Sequence, residues 1–295
     1  MSKMTQQNLP KRRRFRLDAL NQLPNERGAR PADTTALTRG AKPQAEIRPA
    51  GTQSIETAMQ VLLALADIDQ PIGVTEIGRR LGLHKSMVSR QLAMLKVADF
   101  VTQDSSNSRY ALGLGLLPLA AKVLSAHRLS GTSRVRLEAL AKTTREIVTM
   151  SGWDGRNAIN LDQFGRVDPK LPLAPPGRLN PAHCTATGKA FLAELNADAL
   201  ANRLSEPLAR YTKLTITDPR KLRAEIDEIR RTGLAINHCE FIENTDAIAT
   251  LVRPHDGARP YAIAITLPSP RANAVRVKAI GKELLKAAQD LAREV

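Results

Sequence analysis

The sequence predicts an α+β protein: a small helical unit closed by a β-hairpin, a connecting helix, and a second domain of antiparallel strands flanked by helices. Three observations carry this. Apolar residues recur at three- and four-residue steps between 54 and 97, the spacing of amphipathic helices. Two short strands around a polar turn follow at 100–112. Beyond 131, strands and helices are mixed, with Asp154-Gly155 and His255-Asp256-Gly257 as turns, which is the α+β pattern. A length of 295 residues suits two domains.

Taken in order, residues 1–50 read as a disordered basic arm, with Pro10, Pro24, Pro31, Pro43 and Pro49 and no sustained period. Its cluster Lys11-Arg12-Arg13-Arg14-Phe15-Arg16 fits either an arm on DNA phosphate or a solubilising tail. The domain expected over 51–113 starts with a helix bearing Ile55, Ala58, Met59, Leu62, Leu63 and Ala66 on one face; Asp67 to Pro71 end it. Thr75 is the expected N-cap of a second helix ending near Leu81, with Ile77 and Leu81 inward and Gly82 left-handed behind it. A third helix over 84–97 turns Val88, Leu92 and Leu95 inward, with Leu83 buried in the turn before it. The hairpin pairs 100–103 with 109–112. A linker helix is expected within 114–130, with Pro118 in its first turn.

The second domain, 131–295, is expected to hold helices at 135–145, 187–195 and 218–232 and strands at 147–152, 157–162, 234–237, 248–253 and 261–267. Residues 169–181 read as a proline-rich loop. A closing helix from Arg271 has Val275, Ile280, Leu284, Leu285 and Leu291 inward.

The net charge is +15, but its placement matters more than its size. Residues 1–50 hold eleven Lys/Arg against four Asp/Glu, whereas 51–130 hold only eight against six. Basic chains attract polyanions, and charge alone does not separate DNA from RNA or acidic membrane. No run approaches the ~18 apolar residues of a membrane span, and the N-terminus lacks a signal-peptide core, so a cytoplasmic protein with no membrane partner is expected. Cys184 and Cys239 are too few for a disulfide framework.

The segment 74–97 has the spacing of a helix-turn-helix. Its second helix presents Lys85, Ser86, Ser89 and Arg90, with Gln91 at the flank, to a major groove ~12 Å wide. Arg90 can make a bidentate contact to guanine or phosphate. Thr75 joins this DNA-facing set from the helix before. Ser105, Asn107 and Arg109 would form a wing on the backbone or minor groove.

These residues carry a resemblance. Thr52-Gln53-Ser54-Ile55, Thr75-Glu76-Ile77, Leu81-Gly82-Leu83-His84-Lys85-Ser86, Val88-Ser89-Arg90, Leu92-Ala93-Met94-Leu95 and Arg109-Tyr110-Ala111-Leu112-Gly113 look like the IclR family of transcriptional regulators. The run from Ala182 through Thr185-Ala186-Thr187-Gly188-Lys189-Ala190 to Ala193 is similar to that family's second signature. The chain departs from the family at Asp99, where glycine is usual, and at Thr57-Ala58-Met59. Asp tolerates the left-handed conformation such a turn needs.

The resemblance implies a GAF/profilin-like C-terminal domain whose curved sheet encloses a small organic effector, often a carboxylic acid. It also implies a homodimer or homotetramer on paired half-sites of double-stranded operator DNA. By position, the effector site would use the amides of Ala186 and Thr187 together with Asn237, Ala247 and Thr266. Amides leading into a helix favour anions. Hydroxyl, thiol and acidic groups common in the family are missing at Asn237, Ala247 and Pro268, which motivates a larger or more apolar ligand than a small oxo-acid.

Other chemistries fare worse. Gly188-Lys189 lacks the glycine five residues upstream that a P-loop needs. His183-Cys184 and His238-Cys239 could ligate a metal, but neighbours on a strand point to opposite faces, so no metal site and no cofactor are expected. Trp153 and Phe164 read as packing or pocket-wall residues. No acid, base and nucleophile set marks an enzyme. The expectation is a ligand-modulated repressor or other transcriptional regulator. A constitutive DNA binder with a vestigial sensing domain, or an enzyme with an accessory DNA-binding domain, are the alternatives.

Overall fold

The computed structural model describes residues 52–294, apart from 69, 128, 166–170, 172–173 and 256. The expected basic arm, 1–50, lies outside the described residues, as does part of the proline-rich loop. The chain divides into two compact units between Val123 and Leu124.

The first unit follows the expected order. Helices α1 (Thr52–Ala66), α2 (Val74–Leu81) and α3 (Lys85–Val97) precede strands β1 (Val101–Gln103) and β2 (Tyr110–Leu112). Val61, Leu65, Ile77, Val88, Leu92 and Val101 are each at most 3% exposed and form one core. At about 1.5–3 kcal/mol per buried aliphatic side chain, this core is what holds so small a unit together. Leu81 and Leu83 are only partly buried against it. Gly82 closes α2 at φ 68°. Asp99 takes φ 54°, the left-handed turn expected of it, between α3 and the hairpin. Ile72 exchanges backbone hydrogen bonds with Tyr110 and extends the hairpin by one bridge.

Helix α4 (Leu117–Ala126) follows a short 3-10 turn; it is shorter than expected because the chain leaves the helix before Ser130. Ser130 then caps α5 (Gly131–Thr144), accepting from the Ser133 amide, so α5 starts four residues before the apolar pattern shows it.

The second unit is a six-stranded antiparallel sheet in the order β5-β4-β3-β8-β7-β6. Its strands are β3 (Ile147–Trp153), β4 (Asn157–Phe164), β5 (Leu179–Pro181), β6 (Ala235–His238), β7 (Thr245–Val252) and β8 (Tyr261–Pro268). Helices α6 (Ala186–Glu194), α7 (Ala197–Ser205), α8 (Pro219–Thr232) and α9 (Ala274–Arg293) flank it. Strand alternation sorts the two faces. Val148, Met150, Ile248, Ile263, Ile265 and Leu267 pack with α5 and α9. Ala249 and Ala264 face α6, joined by Ala186, and these small side chains let that helix start close to the sheet. Val275, expected inside, is 81% exposed because it lies in the first turn of α9.

Candidate functional site

Two surfaces gather the expected functional residues. The first is α3. Lys85, Ser86, Ser89 and Arg90 are all exposed on it. Residues three and four apart share a helix face, which places Ser86, Ser89 and Arg90 together. Arg90 Nε reaches the Ser86 carbonyl at 3.4 Å, the long limit of a hydrogen bond, so the guanidinium keeps its other donors.

Gln91 does not stand with them. It is half-buried and donates to Ser54 Oγ at 3.0 Å, tying α3 to the start of α1. Thr75 is no cap: Gly73 occupies that position with no side-chain bond, because α2 begins one residue before Thr75, which is exposed in the first turn.

The hairpin tip is self-contained. Asp104 accepts from the Ser106 amide and hydroxyl and from Asn107 Nδ2 at 2.8, 2.7 and 2.8 Å. These bonds hold its carboxyl below the usual range. Asn107 Oδ1 accepts from the Arg109 amide at 3.0 Å, and Arg109 Nη1 donates to the Pro71 carbonyl at 3.1 Å. Asn107 and Arg109 therefore build the tip and anchor it.

Sequence reasoning misses Arg79 and Arg80. Both are exposed and share Glu76, whose carboxyl their hydrogen bonds lower to about 2. Their i,i+3 and i,i+4 spacing from Glu76 is the available signal.

The second surface is a cavity of about 70 Å³ in the second unit, several times the roughly 10–15 Å³ that one water needs. Ala186, Thr187, Asn237, Ala247 and Thr266 all line it. Thr185 caps α6, its hydroxyl accepting from Gly188 N at 3.1 Å. The amides of Ala186 and Thr187 then remain as first-turn donors without an intrahelical acceptor. A Cβ on Gly188 would meet Ala182 Cα at 2.4 Å, so only glycine lets α6 begin here. Asn237 spends its amide oxygen on Glu240 N at 2.8 Å, which leaves its NH2 to offer a ligand.

Three further residues line the cavity without a signal in the sequence. Arg178 lies 5.5 Å over the Phe241 ring, and both line the cavity, as does Ile242. Arg178 falls in the proline-rich loop, and no periodicity marks it. Behind the wall, Lys189 is fully buried and donates to Glu225 and Glu240, each at 2.6 Å. Burial pushes the Glu240 carboxyl up. Lys189 is thus a buried structural cation, in keeping with the missing P-loop. Trp153 stacks on Phe191 and Phe164 sits in the core, both as packing groups.

The structure corrects the expected divergence of one candidate metal-binding pair. His238 and Cys239 do not splay to opposite faces, because Cys239 has φ 51°. Both side chains meet Asp246: His238 Nδ1 lies 2.6 Å from Oδ2 and Cys239 Sγ 3.4 Å from Oδ1. The other dipeptide stays apart. Cys184 is buried, which raises its thiol pKa, and His183 Nε2 bonds the Ala209 carbonyl at 2.8 Å. Among the described residues no helix is long and apolar enough to cross a membrane.

Comparison with known proteins agrees with this architecture. Residues 54–105 match the model of the IclR helix-turn-helix domain, and 121–293 match that of the bacterial transcriptional regulator IclR C-terminal domain. An HTH-type transcriptional regulator of Mycobacterium tuberculosis is 31% identical, over 76% of this chain and 85% of that one. The Escherichia coli transcriptional repressor IclR is 26% identical, over 91% of this chain and 96% of its own. The crystal structure of an IclR transcriptional regulator from Silicibacter sp. TM1040 is 28% identical with a TM-score of 0.70, covering 81% of this chain and 94% of that one.

Proposed function

The chain belongs to the IclR family of bacterial transcriptional regulators, and from that premise we propose that it reads a specific operator through Lys85, Ser86, Ser89 and Arg90 and that a compact organic carboxylate in the α6 cavity sets its operator affinity. The observation that carries the second part is the cavity wall. Two first-turn amides, the Arg178 guanidinium and Asn237 offer charge and donors, while Phe241, Ile242, Ala247 and Ala264 offer an apolar bed. Helix N-termini and guanidinium groups both favour carboxylates. The apolar bed favours an acid with a hydrocarbon or aromatic body over a bare oxo-acid.

Coupling follows from linkage: the acid changes operator affinity only as far as it prefers one state of the protein. A homodimer or homotetramer is the assembly this reading expects. Leu117, Leu119 and Val123 of α4 are each more than half exposed, an apolar helix surface suited to a second copy of this chain. Sedimentation at micromolar concentration would return a dimer or tetramer mass; a monomer would remove that part of the reading.

Titration calorimetry with a panel of aliphatic and aromatic acids tests the ligand class. Arg178→Ala is expected to weaken the best acid by about 1.5–3 kcal/mol, roughly 10–150-fold, the worth of a charged hydrogen bond. An unchanged affinity would remove Arg178 from the site. Tight binding of glyoxylate or pyruvate alone would overturn the apolar-bodied ligand.

A further inference from the structure

We propose that His238, Cys239 and Asp246 form a site for one zinc-type divalent cation, on the sheet face opposite the effector cavity. Asn237 and Ala247 face each other across β6 and β7 and line the cavity; the next pair, His238 and Asp246, points the other way. Among the described residues this is the one group of three such side chains whose ligand atoms all lie within 4.8 Å of one another.

The backbone assembles the set. A strand would send His238 and Cys239 to opposite faces. The left-handed Cys239 brings its thiol round to the carboxylate that His238 already touches. Ser269 Oγ lies 2.9 Å from the thiol and also bonds Asp246, closing the floor of the site. Asp246 itself is 3% exposed, and among the described residues no Lys or Arg pairs with it. A buried carboxylate without a permanent cation is costly, and a bound ion removes that cost.

The donor set selects the ion. One imidazole nitrogen, one sulfur and one carboxylate oxygen is a borderline-soft set that suits zinc, and three protein ligands leave a fourth position for water. With bonds of about 2.0–2.3 Å, tetrahedral ligand atoms sit roughly 3.3–3.6 Å apart. The thiol–carboxylate separation of 3.4 Å already fits. The imidazole touches the other carboxylate oxygen, and the three ligand atoms lie within 4.8 Å of one another, so closing on one ion takes a shift of roughly 1–2 Å of the His238 side chain, which is 66% exposed. The ion displaces the thiol proton to solvent, and His238 binds as the neutral imidazole through Nδ1 with its ring proton on Nε2. The ion's placement has a consequence for the cavity. The loop from Cys239 to Thr245 carries Phe241 and Ile242 of the cavity wall, so an ion joining Cys239 to Asp246 pins both ends of that loop.

The test is cobalt titration of the full chain after treatment with a chelator. One equivalent should bind with a thiolate-to-cobalt charge-transfer band, and zinc should displace it. Cys239→Ser should abolish the band. His238→Ala, at a side chain 66% exposed, should weaken binding roughly tenfold or more while the circular-dichroism spectrum stays that of the wild type. Cys184→Ala should leave the band intact. Absence of stoichiometric binding, a band that survives Cys239→Ser, unchanged affinity in His238→Ala, or a band lost with Cys184 would each overturn the site.

Discussion

The α3 face and the α6 cavity present their candidate groups in opposite ways. On α3 the groups are exposed side chains on a regular helix, the long Lys85 and Arg90 beside the short Ser86 and Ser89, with few bonds to the rest of the protein. At α6 they are backbone amides and buried or half-buried side chains, fixed by a capping threonine, an obligatory glycine and a buried lysine behind them. The contrast teaches where each site is fragile. The reader should lose affinity when a side chain is cut, with its fold intact. The cavity should lose its fold when its support is cut.

The largest expected effect breaks the cavity's support. Lys189→Ala strands Glu240 in a buried position. Removing one partner of a buried ion pair typically costs about 3–5 kcal/mol, which denaturant unfolding of the second unit would register. A loss below about 1 kcal/mol would mean that the ionic support is incidental.

Arg90→Ala should cost about 1–3 kcal/mol of specific binding without changing thermal stability. Gln91→Ala is its internal control. Because Gln91 bonds Ser54, its loss should appear as a small stability change and leave the operator preference intact. The reverse pattern would move the reading role from Arg90 to Gln91.

Deleting residues 1–50 asks whether the reader acts alone. If the arm's Lys and Arg residues touch phosphate, the slope of log affinity against log salt should fall by about 0.9 for each phosphate the arm had neutralised. An unchanged slope makes the arm a tail.

The smallest effect concerns Glu76. Its carboxyl is held at about 2, below the unperturbed 4.5, so its pairing with Arg79 and Arg80 is fully present above the unperturbed value and is lost as pH falls toward 2. Glu76→Gln should remove that acid-range dependence. It should also raise non-specific DNA binding slightly by releasing two arginines; weaker non-specific binding would show that they face away from DNA.

The same contrast explains what can be read in advance. Helical period locates α3 and its exposed face, because Val88, Leu92 and Leu95 define the inward side and leave Ser86, Ser89 and Arg90 opposite. Period says nothing about lateral bonds, such as those that Gln91, Asn107 and Arg109 make within the fold. In the second unit, Ala186, Thr187, Asn237, Ala247 and Thr266 meet on one wall although they are spread over eighty residues of chain; only the family resemblance joins them. Strand β5 and helix α7 escape a reading by pattern: three residues ending in proline make a weak strand signal, and α7 is capped by Asn196 within a run of small residues. Cys239 escapes for a different reason. The rule that strand neighbours diverge holds only while the strand continues, and Cys239 ends it.

The central claim is that acid binding at α6 controls what α3 reads. The most direct measurement is fluorescence anisotropy of the full chain on an operator selected from random duplexes, with and without a saturating acid, for wild type and Arg178→Ala at equal acid concentration. The account predicts a shift of roughly 5–150-fold in wild-type operator affinity, the usual range of such coupling, and little shift in Arg178→Ala. Equal shifts in both proteins, or none in either, would contradict it.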